Sequence, residues 1–149
     1  MTNRMINKVI VHCSDTLTGD VDSIRKYHMS PPPDGRGFHD IGYHYVILSD
    51  GTIQTGRPEN EEGAHCEHHN IDSIGICLVG KIEFTLLALE SLRVLTRAIL
   101  LKNNLKFESV FCHYEFDTAK IQGKTCPNLP GCLVRAYIKN EEDNHASAS

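Results

Sequence analysis

His12 and His113 each close a short apolar run, Val9-Ile10-Val11 before the first and Val110-Phe111-Cys112 before the second. Such runs read as buried strands, and ligand sites of open α/β sheets lie at the carboxyl ends of strands. Where two such strands are neighbours, their imidazoles converge. Cys126, set between Lys124-Thr125 and Pro127, follows in the loop after the second run and can add a thiolate. Two imidazoles and one thiolate suit zinc, with nitrogen at about 2.0–2.1 Å and sulfur at about 2.3 Å. Three protein ligands leave the fourth position for water, which is the catalytic rather than the structural arrangement. Zinc lowers the pKa of that water to about 7 and polarises carbonyls, and amide hydrolysis needs both effects. By spacing alone the signal is weak. No HExxH or paired CxxC motif is present, and a single histidine at a strand end more often has its ring simply hydrogen-bonded.

The elements that must position these groups follow from apolar patterning. Lys8 to Cys13 reads as a strand. Asp20 can cap a short helix that carries Ile24 and Tyr27 and ends near His28. Pro31-Pro32-Pro33-Asp34-Gly35-Arg36-Gly37 must be loop. Gly42 to Leu48 reads as a strand, Ser49-Asp50-Gly51-Thr52 as a hairpin turn, and Ile53 to Thr55 as the returning strand. Glu59 to Asn70, crowded with His and Glu, reads as a surface loop. Ser73 to Val79 is a further buried strand ended by Gly80. Thr85 opens a long amphipathic helix to about Asn103, with Leu89, Leu92, Leu95 and Ile99 on one face. Cys132 to Lys139 suggests a final helix. Strands and helices mixed in this order predict an α/β fold, a central sheet flanked by helices in one domain over residues 1–139. A polar tail spans 140–149.

Composition narrows the function classes. The 149 residues include 40% hydrophobic and 23% charged, with a net charge of −4, nine His and no Trp. A chain of this charge lacks the basic footprint of nucleic-acid binding or of an anionic membrane surface. No stretch reaches the roughly 20 apolar residues of a membrane span, and the first residues lack the apolar centre of a secretory signal. Synthesis in the cytoplasm is the expectation, and the six Cys are then expected to be reduced thiols.

The order of short motifs adds a stronger argument. Val11-His12-Cys13-Ser14, Ile41-Gly42-Tyr43-His44-Tyr45, Ser49-Asp50-Gly51-Thr52, Ser73-Ile74-Gly75-Ile76-Cys77-Leu78-Val79-Gly80, His113-Tyr114-Glu115 and Lys124-Thr125-Cys126-Pro127 cover nearly the whole chain up to about Ile138. In that order they resemble the zinc amidases of the phage-lysozyme type, which share a fold with animal peptidoglycan recognition proteins. The resemblance implies cleavage of the amide between the lactyl group of N-acetylmuramic acid and the L-alanine of the stem peptide. It implies one zinc ion held by His12, His113 and Cys126, with Tyr43 and Lys124 as catalytic residues and His44 and His65 lining the substrate groove. One departure is visible. The stretch from His113 to Cys126 is longer than in the short phage enzymes, and extra residues within 117–123 are expected to lengthen a loop.

Each role stands against a plainer one. Lys124 would set a cation beside the oxygen that becomes negative in the tetrahedral intermediate, where most lysines are merely solvated. Tyr43 would orient the reacting water or carbonyl, where a sheet tyrosine commonly only packs, as Tyr45 is expected to do on the same face. His44 alternates with Tyr43, so a regular strand cannot point both to one side; a bulge or twisted edge is needed. Glu115 can buttress a ligand imidazole. His28, His39 and His145 read as ordinary histidines.

The expectation is a monomeric, endolysin-like peptidoglycan hydrolase with peptidoglycan as partner, binding neither nucleic acid nor membrane. It would be made in a host bacterium's cytoplasm and act on the cell wall after release. The alternative is a module of the same fold that binds peptidoglycan without cutting it. Cys126 and Lys124 favour the enzyme.

Overall fold

The structure, a computed structural model, describes residues 3–140. Apart from Asn140, the expected polar tail lies outside them. Among the described residues, five strands form one sheet: β1 (Lys8–Cys13), β2 (Tyr45–Ile47), β3 (Ile53–Thr55), β4 (Ser73–Leu78) and β5 (Val110–Cys112), in the order β3-β2-β4-β1-β5. β2 and β3 are the antiparallel hairpin, while β2, β4, β1 and β5 run parallel. The helices are α1 (Val21–Met29), α2 (Leu86–Lys102), α3 (Asp117–Ile121) and α4 (Gly131–Lys139). The architecture is the mixed α/β sheet flanked by helices that the patterning predicts.

Alternation along the strands divides the side chains between two faces. Val9, Val11, Ile74, Ile76, Leu78, Val110 and Cys112 pack with Ala88, Leu92 and Ile99 of α2 and with Val134 and Ile138 of α4. That layer is the main core. On the other face, Val46 and Cys77 pack with Ile41 and Val79, against Val21 and Ile24 of α1. His12, one residue beyond Val11, falls on this second, thinly covered face.

Local chemistry explains where the helices begin. Asp20 Oδ1 accepts the Ser23 N–H at 2.8 Å, and Ser23 Oγ accepts the Asp20 N–H at 2.9 Å, a reciprocal cap on α1. Thr85 Oγ1 accepts the Ala88 N–H at 3.1 Å at the start of α2. Ser91 of α2 donates to the Gly51 carbonyl at 2.6 Å and so ties the hairpin turn to the helix.

Three expectations are corrected. The strand predicted over Gly42 to Leu48 is regular only from Tyr45 to Ile47. The Gly42 N–H donates to His28 Nδ1 at 2.9 Å, and the Gly42 and Tyr43 carbonyls accept from the Ala64 and Arg57 N–H groups, so their backbone serves loops rather than a ladder. The segment from Glu59 to Asn70 is irregular but not simply superficial. Gly63, His65 and Cys66 are buried, and Asn70 Oδ1 holds the His65 and Cys66 N–H groups at 2.8 and 2.9 Å. Within 117–123, Asp117–Ile121 form α3 rather than loop, and Gln122, just past its end, donates Nε2 to Glu67 at 2.7 Å.

Candidate metal centre and active site

β1 and β5 are adjacent and parallel, with Val9 opposite Val110 and Val11 opposite Cys112. The next residue on each chain is His12 and His113. Strand pairing therefore carries two imidazoles 101 positions apart in sequence to one sheet edge, with ring centres 4.5 Å apart. Cys126 completes the group. One ligand atom from each of His12, His113 and Cys126 lies within 4.8 Å of the others. Two backbone bonds place the sulfur. The Cys13 N–H donates to Cys126 Sγ at 3.0 Å, and the Cys126 carbonyl accepts the Tyr114 N–H at 3.1 Å, next to His113.

The donors fit zinc chemically as well as spatially. Burial, with His65, His113 and His28 nearby, holds His12 well below its ordinary pKa. Burial and the charge of Lys124 lower His113 to about 4. Both rings are therefore neutral at pH 7, the form that ligates a metal. The thiol of Cys126 is pushed up by the adjoining Cys13 thiol and by burial. A dication reverses that balance, because a coordinated thiol is deprotonated, and the Cys13 N–H already points at the sulfur.

Tyr43 stands over this group, its ring centre 5.1 Å from that of His12. It faces the same side as His12 because regular alternation begins only at Tyr45. Tyr45, expected on Tyr43's side, instead packs against the main core and donates its hydroxyl to Glu59 at 2.5 Å. Burial and the thiols of Cys77, Cys126 and Cys13 raise the Tyr43 phenol well above its ordinary value, so it keeps its proton. His28, which reads as an ordinary histidine in the sequence, holds Tyr43 from behind. Its ring centre is 5.4 Å from that of Tyr43 and its Nδ1 accepts the Gly42 N–H. Nothing in the local sequence around His28 signals that role. Lys124 is exposed, close enough to His113 to lower its pKa.

His44 and His65 lie beneath the site rather than on an open wall. His44 is 1% exposed; its Nδ1 accepts the Gly75 N–H at 3.0 Å and its Nε2 lies 2.9 Å from the Glu61 carbonyl. His65 is 8% exposed and lies between His12 Nε2 at 2.9 Å and Ser73 Oγ at 3.2 Å. Among the described residues, Glu115 buttresses no imidazole. It accepts the Cys112 N–H at 2.7 Å and takes Arg135 of α4 through both oxygens, at 2.8 and 2.9 Å. His39 is exposed, and His145 lies outside the described residues.

A family model described as N-acetylmuramoyl-L-alanine amidase matches residues 2–129. The endolysin of Enterobacteria phage T3 is 35% identical over 144 residues, covering 89% of this chain and 86% of the relative. Among solved structures, the N-acetylmuramoyl-L-alanine amidase LysC from Clostridium intestinale URNW superposes with a TM-score of 0.78 at 28% identity, over 93% of this chain and 89% of that one. The peptidoglycan recognition protein PGRP-SA of Apis mellifera follows with a TM-score of 0.71 at 27% identity, over 92% and 83%.

Proposed function

The chain belongs to the N-acetylmuramoyl-L-alanine amidase family and is a peptidoglycan hydrolase, and on that premise we propose that it cuts the amide joining N-acetylmuramic acid to L-alanine with one zinc ion held by His12, His113 and Cys126. One observation carries this reading. Three chemically matched donors, far apart in sequence, lie within 4.8 Å of one another at one sheet edge. Zinc held there would supply Lewis acidity for the scissile carbonyl and a water of lowered pKa.

The chain's own residues supply the rest. Lys124, exposed and close enough to His113 to lower its pKa, offers a positive charge to the carbonyl oxygen as it becomes negative, which can be the largest catalytic contribution. The Tyr43 phenol keeps its proton and so serves as a hydrogen-bond donor that orients the reacting groups rather than as a base. The buried, bonded rings of His44 and His65 favour a positioning role over the direct substrate contact that the resemblance implies.

The similarity to phage endolysins supports a lytic enzyme that reaches the cell wall from inside the producing cell. No helix among the described residues is long and apolar enough to cross a membrane.

Metal analysis of the purified protein, paired with mass spectrometry of digested sacculi, tests the proposal. The expected result is one zinc per chain and release of stem peptides that begin at L-alanine. Cys126→Ala should lose zinc and activity together, and full activity in that variant would remove the ligand assignment. Sacculi that are bound but left intact would mark a binding module instead.

A further inference from the structure

Beneath His12, hydrogen bonds fix the position of each proton in turn. Ser73 has a single hydroxyl hydrogen. Its Oγ lies 2.7 Å from the His69 carbonyl oxygen, and a carbonyl only accepts, so the hydrogen is spent there. The same Oγ lies 3.2 Å from His65 Nε2. With its hydrogen committed, Ser73 accepts in this contact, and His65 must carry a hydrogen on Nε2. Burial disfavours a charged ring, which leaves His65 Nδ1 bare. That atom lies 2.9 Å from His12 Nε2, so the hydrogen between the two rings belongs to His12. His12 is left with an unprotonated Nδ1, whose lone pair is free for a metal.

The slot that holds His65 is built for the ring. A Cβ on Gly75 would lie 2.6 Å from His65 Cδ2 and Cγ, and one on Gly63 would lie 2.6 Å from Cδ2. Side chains at either position would evict the imidazole. Ser73 is 0% exposed and His65 8%, so bulk water does not compete for these bonds. His44 does not compete either, because its Nδ1 is taken by the Gly75 N–H.

We propose that Ser73 and His65 are positioning residues that hold His12 as the Nε2–H tautomer, so that Nδ1 is the atom it offers to zinc. The inference rests on the ligand role of His12 proposed above. Partners that fix the tautomer of a ligand histidine typically change metal affinity by about 10–100-fold when removed.

Nitrogen-15 NMR of the zinc-loaded protein reads the tautomers directly. The expected spectrum has hydrogen on Nε2 of both His65 and His12, with zinc on His12 Nδ1. Hydrogen on His65 Nδ1, or zinc on His12 Nε2, would overturn the inference. In chelator competition, Ser73→Ala should bind zinc about 10–100-fold more weakly and lose the single His65 tautomer, while Ser73→Thr, which keeps the hydroxyl, should retain both. Unchanged zinc affinity in Ser73→Ala would also overturn it. Should that variant not fold, the tautomers of the unsubstituted protein decide. The two levels separate cleanly. An unsubstituted protein that takes up no zinc refutes the ligand assignment, whereas one that binds zinc with the wrong tautomers refutes only this inference.

Discussion

Tyr43 shows how much a single residue's role depends on where a strand stops. Its ring reaches His12 because the backbone at Gly42 and Tyr43 bonds to His28, Ala64 and Arg57 instead of joining the ladder. The phenol touches the ring of a proposed zinc ligand but supplies none of the three converging donor atoms. Tyr43→Phe should therefore keep one zinc per chain while turnover on sacculi falls by roughly 10²-fold, a magnitude typical of losing one preorganised hydrogen-bond donor. A zinc-free Tyr43→Phe protein would mean that the hydroxyl helps to hold the metal, and the orienting role would be wrong.

At the scale of elements, the turn carrying His113 is fastened to α4. Glu115 accepts the Cys112 N–H at the end of β5 and grips Arg135 with both carboxylate oxygens. Burial acts to raise its pKa, but the Arg135 and Cys112 bonds outweigh this and keep it low, so it is ionised at neutral pH. Gly131, the first residue of α4, makes room for this arrangement. A Cβ there would lie 2.5 Å from Glu115 Oε1 and 2.7 Å from Oε2. Gly131→Ala must push the carboxylate away from its partners, and urea unfolding should show a loss of about 1–3 kcal/mol, the usual cost of forcing extra volume into a packed site. Unchanged stability would show that the carboxylate can shift without loss.

For the molecule as a whole, several buried histidines couple stability to pH. Burial lowers His28, His44 and His113 to about 4 from the ordinary 6.5, with charges of Arg36 and Arg57 adding at His28 and that of Lys124 at His113. His12 and His65 are also held well below their ordinary value, by burial first and then by neighbouring rings, with Arg4 and Arg57 adding at His65. Unfolded, each of these rings takes up a proton near pH 6.5; folded, His28, His44 and His113 do so only near 4, and His12 and His65 well below the ordinary value. Between those values the unfolded chain binds more protons, so stability rises with pH and is lost as pH falls. Each such ring adds a slope of up to about 1.4 kcal/mol per pH unit. Thermal melts of the zinc-free protein should show Tm constant above about pH 7 and falling steadily from pH 6.5 toward 4.5. A flat Tm across that window would show that the rings are not held neutral in the fold. Acid should also release zinc, since the ligands must be deprotonated to bind it.

Features that depend on near neighbours and on residue type were legible in the chain's order of residues. β1, the Asp20 cap, the Asp50-Gly51 hairpin and the Thr85 helix all appear within a residue or two of where apolar period and capping chemistry put them. Strands ending in histidine and a late Cys-Pro gave only a weak local signal, and His12, His113 and Cys126 could be named as a zinc set because the order of short motifs resembles the zinc amidases. Contacts between distant segments became visible only in the folded chain. That Tyr43 and His44 both leave the main-core face depends on His28 and Arg57 claiming the preceding backbone. That Glu59 to Asn70 folds inward depends on Gly75 and Gly63 leaving a slot the size of an imidazole, and Glu115 goes to Arg135 because α4 returns beside β5. Local pattern fixes an element's kind and the face of a regular strand; the proton positions and partners of a buried side chain belong to whatever segment packs upon it.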